Sequence, residues 1–118
     1  MKKYKGRCHC GNVSFSFEHE EITSALRCNC SLCIRKGAAM TDFIIPPEDF
    51  NITVKEEGTL GLYEFDSKAA HHFFCKICGI YPFHQTARFK DQYRVNLGCI
   101  DEIDSLALDT TIHDGKSF

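Results

Sequence analysis

The chain has 118 residues, of which 43% are hydrophobic and 25% are charged, and its formal net charge is -2. These values are close to those of average globular proteins and predict one compact domain over residues 1–118. The small net charge disfavours a protein that binds nucleic acid or an anionic membrane through charge alone. No run approaches the ~20 apolar residues of a membrane-spanning helix.

Short strands dominate the predicted secondary structure. Residues 4–17 are predicted to form a hairpin-like unit at the start of the chain. Within it, Val13, Phe15 and Phe17 alternate with polar residues, which indicates a strand with one buried face. Further strands are predicted at residues 22–27, 38–45, 51–55, 60–65, 71–74, 81–85 and 93–97. The strand at 81–85 is expected at a sheet edge, because proline lacks the N–H that a central strand needs. Residues 101–118 are polar and weakly patterned, and we expect only part of them to be extended.

Helix is predicted only in single turns. Residues 31–36 permit a short helical turn that Gly37 ends, and residues 48–50 permit another. Residues 66–70 are expected to form a hairpin loop. About nine short strands and no long helical run predict an all-β sandwich of two sheets, built from short antiparallel strands.

Eight cysteines in a chain of this length require either a disulfide framework or metal thiolates. The residues before Cys8 include no apolar stretch, so no secretory signal is visible. This favours a cytoplasmic protein, or a nuclear one if the source is eukaryotic, in a compartment that keeps thiols reduced. C-x-C and C-x-x-C spacings also suit convergence on one ion, so we favour metal thiolates over disulfides.

One set of thiols is predicted to form a closed structural zinc site. Its members are Cys8, Cys10, Cys75 and Cys78. Two paired turns are the usual way to supply four sulfurs in a tetrahedral arrangement. Gly79 directly after the last thiol permits the sharp turn that such a pair requires. The alternative is that these residues are buried free thiols acting as small hydrophobic side chains.

A second set of thiols lies within six residues. Its members are Cys28, Cys30 and Cys33. Three sulfurs leave the fourth tetrahedral position of a soft metal open, which is the arrangement of catalytic sites. A fourth ligand would instead close this set into another structural site. The candidates for that ligand are Cys99 and one of His71 and His72, which as neighbours on a strand point to opposite faces.

Several polar residues near these sets of thiols allow two interpretations of their role. Arg35 and Lys36 follow the second set and would favour an anionic substrate or stabilise a thiolate. Equally, they form a solvated basic edge. Tyr81 and His84 could line a pocket, although an aromatic residue on a strand more often belongs to the core. For His9, between two candidate ligands, exposure to solvent is the default expectation.

Four motifs together resemble one known family. They are Gly6-x-Cys8-x-Cys10-Gly11, Cys28-x-Cys30-Ser31-x-Cys33, Phe74-Cys75-x-x-Cys78-Gly79 and Asn96-Leu97-Gly98-Cys99-Ile100-Asp101. Their order and spacing resemble the glutathione-dependent formaldehyde-activating enzyme family over most of the chain. The run from Cys30 to Lys36, the segment Phe43-Ile44-Ile45-Pro46 and Cys99 are most similar to the centromere protein V branch.

The resemblance implies a zinc-stapled β-sandwich of complex topology with two zinc ions per chain. It assigns the structural zinc to the first set of thiols and the functional zinc to Cys28, Cys30 and Cys33. The implied activity is that of a carbon–sulfur lyase, which joins formaldehyde to glutathione as S-hydroxymethylglutathione or separates the two. The implied partner is therefore a small thiol such as glutathione.

Two functions of other classes remain open at this stage. The first is a non-catalytic zinc module that binds a partner protein or chromatin, which the centromere protein V resemblance allows. The second is metal storage or redox sensing by the exposed thiols, which predicts facile zinc loss on mild peroxide treatment.

Overall fold

The computed structural model describes residues 1–65 and 69–117. The strands are β1 (Lys2–Arg7), β2 (Val13–His19), β3 (Ser24–Cys28), β4 (Asn51–Val54), β5 (Leu60–Tyr63), β6 (His71–Cys75), β7 (Phe83–Gln85), β8 (Tyr93–Val95) and β9 (Asp109–His113). The α-helix is α1 (Ser31–Lys36). Short 3₁₀ turns are Pro47–Asp49, Leu97–Cys99, Ser105–Ala107 and Gly115–Ser117. The predicted all-β class with little helix is confirmed, as are the turns predicted near residues 31–36 and 48–50.

The strands in the described part of the chain form three sheets rather than the two predicted. Strands β1, β2 and β4 form one antiparallel sheet, and β5, β6, β7 and β8 form another. The third sheet pairs β3 with β9 in parallel, with Cys28 opposite His113. The weak pattern of the C-terminal segment gave no sign of this partner. A parallel pair needs a long connection, here the whole chain between residues 28 and 109.

The core lies between the two larger sheets and is largely aromatic. The ring of Phe15 on β2 meets the ring of Phe83 on β7 edge-on, with centroids 5.9 Å apart. Phe50 packs between the sheets, with its ring centroid 5.5 Å from Phe15 on β2 and 5.2 Å from Phe83 on β7. Such edge-to-face and tilted pairs add to the free energy gained from burial. The larger sheets therefore pack face to face, as the predicted sandwich requires.

The strand predicted at residues 38–45 is wrong. This segment makes isolated bridges instead: Met40 pairs with Leu26 and with Asn96, and Ile45 pairs with Tyr93. It passes between the β3–β9 sheet and the β8 end of the four-stranded sheet and pairs with each at single residues. It is therefore a connection with a buried face and not a member of either ladder.

The strand predicted at residues 81–85 begins later and lies in the sheet interior. It comprises Phe83–Gln85 and is hydrogen-bonded to β6 on one side and β8 on the other. Pro82 lies just before the strand, so its missing N–H removes no ladder hydrogen bond. The edge position predicted from this proline is wrong for that reason.

Two further expectations concern loops and membranes. Of the loop predicted at 66–70, residues 66–68 lie outside the described residues. In the described part of the chain, no helix has the length and apolar character needed to cross a membrane.

Candidate functional site

The first set of thiols converges from two turns that are distant in sequence. Their members are Cys8, Cys10, Cys75 and Cys78, and their four sulfur atoms all lie within 4.8 Å of one another. Each turn is closed by a backbone hydrogen bond, from Gly11 N–H to the Cys8 carbonyl and from Gly79 N–H to the Cys75 carbonyl. Both glycines have positive φ, at 82° and 80°, a conformation that costs glycine little.

The sulfur separations of this set fit a tetrahedral metal. Sγ of Cys10 lies 3.6 Å from Sγ of Cys8 and 3.7 Å from Sγ of Cys75. A disulfide would hold its sulfurs at about 2.05 Å. Four sulfurs at ~2.3 Å from one tetrahedral ion stand roughly 3.8 Å apart. The four thiols could therefore hold a metal ion as thiolates.

Asn12 supports the first set and was missed by the sequence analysis. It is buried, and its Nδ2 donates to Sγ of Cys75 over 3.7 Å and to Thr59 Oγ1 over 2.8 Å. Burial raises the pKa of Cys75, but the N–H groups of Cys78 and Ile77 and the Asn12 amide outweigh it, and the net pKa is lowered. Lowering the pKa favours the thiolate form that metals bind.

The second set of thiols is built around the start of α1. Cys28 ends β3, Cys30 is the N-cap residue, and Cys33 lies in the first turn, so that their sulfur atoms lie within 4.8 Å of one another. The Cys33 N–H donates to Sγ of Cys30 over 3.3 Å, and the Cys30 N–H donates to Sγ of Cys28 over 3.4 Å. The helix ends at Gly37 in the left-handed conformation, as predicted.

The C-terminal segment closes one side of this second set. The Asn29 side chain donates to Asp114 Oδ1 over 3.1 Å and accepts from the Lys116 N–H over 3.0 Å. Between them lies Gly115, where an added Cβ would stand 2.5 Å from Sγ of Cys28. A role for residues 109–117 at the site could not be read from their sequence, because only the parallel pairing of β9 with β3 brings them there.

A cavity of about 320 Å³ opens beside the second set and includes all three of its thiols in its wall. Apolar side chains form much of the remaining lining, among them Leu26, Met40, Phe65 and Phe89. The polar lining consists of thiols, histidines, Tyr81, Thr86 and three cations, Lys36, Arg88 and Arg94. Among the described residues, no carboxylate lines this cavity.

Lys36 is a cation of this wall whose charge interacts with the thiols of Cys33 and Cys30. Its Nζ lies 2.7 Å from Nδ1 of His72 and 3.4 Å from the centroid of the Tyr81 ring. Burial lowers the pKa of Lys36 to about 8, although the thiols of Cys33 and Cys30 act to raise it. Burial also lowers the pKa of His72 to about 4, with help from the Lys36 charge. A neutral His72 therefore accepts a hydrogen bond from the Lys36 ammonium.

Tyr81 and His84 extend this polar wall. The Tyr81 hydroxyl is hydrogen-bonded to Nδ1 of His84, and the His84 ring centroid lies 5.3 Å from that of His72. Burial raises the pKa of Tyr81 well above its usual value. Burial lowers the pKa of His84 well below the usual value for histidine, and the charges of Lys36 and Arg94 act in the same direction. Both residues line the cavity, which agrees with the interpretation that they form part of a pocket.

Other residues considered from the sequence lie elsewhere. Arg35 is exposed and donates to the Ser31 carbonyl of its own helix over 2.7 Å, outside the cavity wall. Cys99 is buried, belongs to neither set of thiols, and its Sγ faces the Tyr81 carbonyl at 3.9 Å. His71 pairs with Glu64 over 2.6 Å, whereas His72 faces the cavity. His9 is exposed.

Comparisons with known proteins agree with this architecture. The family model described as "Glutathione-dependent formaldehyde-activating enzyme" matches residues 3–115. The chain is also similar to the crystal structure of a Rhodobacter sphaeroides protein, a structural genomics target, with 33% sequence identity and a TM-score of 0.79. That similarity covers 91% of this chain and 99% of the other. Membership of the centromere protein V branch stays a prediction. The chain belongs to the glutathione-dependent formaldehyde-activating enzyme family.

Proposed function

We propose that this protein is a zinc-dependent carbon–sulfur lyase that forms or cleaves the adduct of a small thiol, such as glutathione, with formaldehyde or a related aldehyde. The observation that carries the proposal is the opening of the second set of thiols onto the cavity. A donor set that was only structural would gain nothing from a cavity at its side. The family membership supports glutathione as the thiol.

The two sets of thiols would hold two zinc ions with different tasks. Cys8, Cys10, Cys75 and Cys78 supply four sulfurs and fit a closed structural ion. Cys28, Cys30 and Cys33 supply three, so that an ion held there keeps one position facing the cavity. Zinc in this position would act as a Lewis acid and favour the thiolate form of a substrate thiol at neutral pH.

Lys36 is suited to move the proton that the reaction requires. When the substrate thiolate adds to the aldehyde, its sulfur bonds to the carbonyl carbon and the C=O pair of electrons moves to oxygen. The ammonium of Lys36 gives a proton to this oxygen, and His72, which accepts a hydrogen bond from Nζ, holds the side chain in place. Lys36 then regains the proton released by the thiol. Cleavage of the adduct is the same sequence reversed.

The apolar part of the cavity supports this chemistry by limiting water around the reacting atoms. Leu26, Met40 and Phe65 line the same space as the thiols. Low dielectric strengthens the interaction of the Lys36 charge with a developing oxyanion.

The competing function is a non-catalytic zinc module for binding protein or chromatin. It requires a fourth ligand that closes the second site. Cys99 lies outside this set of thiols and faces the Tyr81 carbonyl, which favours the enzyme. X-ray absorption of the zinc-loaded protein distinguishes the two, because two ions with four sulfurs each would support the module.

The direct test is turnover of S-hydroxymethylglutathione by the zinc-loaded protein, followed by NMR, with calorimetric titration of glutathione in parallel. We expect both binding and turnover above the spontaneous rate. Absence of both would remove the proposal. Cys33→Ser should abolish the catalysed rate. Cys99→Ser is the matched control and should retain that rate, because Cys99 lies outside the second set of thiols.

A further inference from the structure

The β8 side of the cavity carries two arginines that the proposed chemistry does not use. Arg88 and Arg94 both line the cavity, and Arg94 is part-buried. Arg94 alternates along β8 with Tyr93 and Val95, of which Val95 is fully buried in the core. Successive residues of a strand point to opposite faces, so Arg94 projects away from the core and into the cavity.

The pairing of β7 with β8 fixes the position of Arg94 relative to the polar wall. His84 and Arg94 are directly opposite each other in the ladder, and directly opposed side chains share one face of a sheet. Arg94 therefore continues the wall that Lys36, His72 and His84 begin. Lys36 lies on α1, the helix that carries Cys33. Arg94 lies on β8, an edge strand of the four-stranded sheet.

Among the described residues, Arg94 forms no ion pair: Asp42 acts on its charge only from beyond contact distance, and burial and Arg88 outweigh it, so that the pKa of Arg94 is lowered. One guanidinium nitrogen, Nη1, donates to the Thr41 carbonyl over 2.9 Å, which orients the group. A guanidinium has five N–H donors, so this bond leaves most of them for another acceptor. Among the described residues, no carboxylate oxygen lies within 4.0 Å of Arg94 or Arg88. Two like charges beside one cavity repel each other unless an anion lies between them.

We propose that Arg94, assisted by Arg88, binds a carboxylate of the thiol substrate. This subsite rests on the proposed function and makes it specific: the preferred substrate carries a thiol at one end and a carboxylate at the other. Arg94 is thereby a specificity-determining residue, and the guanidinium plane suits paired hydrogen bonds to a carboxylate. Arg35, which precedes Lys36 in sequence, takes no part because it is held on its own helix.

The test uses S-methylglutathione, which keeps the carboxylates of glutathione but has no free thiol. Calorimetric titration should show that it binds the zinc-loaded wild type, and that Arg94→Met weakens binding by roughly tenfold or more, since a charged hydrogen bond is lost. Arg94→Lys should lie between the two. Arg35→Met is the matched control and should bind as the wild type does.

Two further measurements keep the test valid if Arg94→Met folds poorly. The dimethyl ester of S-methylglutathione should bind the wild type at least about tenfold more weakly than the free acid. Arg88→Met, at an exposed position, should weaken binding of the free acid without changing binding of 2-mercaptoethanol. Equal binding of acid and ester, or failure of the wild type to bind the acid, would overturn the inference.

The failure of this subsite differs from the failure of the lyase. If Arg94→Met turns over S-hydroxymethylglutathione with unchanged kcat/KM, the subsite is wrong and the lyase stands. If S-methylglutathione binding depends on Arg94 but no adduct is turned over, the subsite stands and the lyase is wrong.

Discussion

Gly115 lies against Cys28 so closely that a Cβ added to the glycine would stand 2.5 Å from the cysteine Sγ, and 3.2 Å from the Cβ of Cys30. The contact joins the C-terminal segment to the second set of thiols, two parts of the chain that are far apart in sequence. No side chain fits between them, so the thiols depend on this glycine for their arrangement.

Gly115→Ala should therefore disturb the second site and spare the first. We expect metal content to fall from two zinc ions per chain towards one, with catalysed turnover lost. Elemental analysis of the purified variant measures this directly. Lys116→Ala is the control, because only the backbone N–H of residue 116 contacts Asn29. A Gly115→Ala protein with two ions and normal turnover would contradict the close contact.

Lys36→Met should lower turnover by roughly 100-fold or more, since it removes the proposed proton donor. Lys36→Arg should recover little, because its pKa is too high to exchange the proton near neutral pH. Arg35→Met should have no effect, since Arg35 lies outside the cavity wall. Comparable losses in the Arg35 and Lys36 variants would point to a general loss of charge and not to proton transfer.

The same lysine sets an expected pH dependence. Burial lowers its pKa from 10.5 to about 8, so the protonated form predominates below about pH 8 and disappears above it. Adduct formation, which uses this proton, should decline as the pH rises through 8. Rates in Lys36→Met should lack this decline. A wild-type profile that stays level up to pH 10 would exclude Lys36 as the donor.

Substitution of the two sets of thiols should separate folding from function. The first set links Cys10 to Cys75, which are 65 residues apart, and structural zinc contributes directly to the free energy of folding. We expect Cys75→Ser to lower the melting temperature strongly or prevent folding, and Cys33→Ser to lower it far less. Thermal unfolding followed by circular dichroism measures both. Similar melting temperatures for the two variants would show that the sites share one role.

The aromatic core should dominate stability outside the metal sites. Phe83 is fully buried and contacts Phe15, Phe50 and Tyr93. Phe83→Ala should reduce the free energy of unfolding by about 3–5 kcal/mol. Phe89, a phenylalanine that is 39% exposed, is the matched control, and Phe89→Ala should cost far less. Denaturant unfolding at constant zinc concentration gives both values.

The sequence by itself determined the local features of this protein. The C-x-C and C-x-x-C spacings within each cysteine turn, the turn at Gly79, the helix end at Gly37 and the alternation in β2 follow from near neighbours, so they could be predicted directly from residue spacing. The same motifs were sufficient to identify the family.

Only the tertiary structure decided which distant segments meet. The pairing of β3 with β9, the contact of Gly115 with Cys28 and the position of Arg94 opposite His84 join residues with no common local pattern. Residues 38–45 show the limit most clearly, because a mostly apolar run that ends at prolines predicts an extended segment but does not distinguish a ladder from single bridges. The local sequence indicates which residues are buried. The segments against which they are buried depend on the closure of long loops and on the packing of the whole chain.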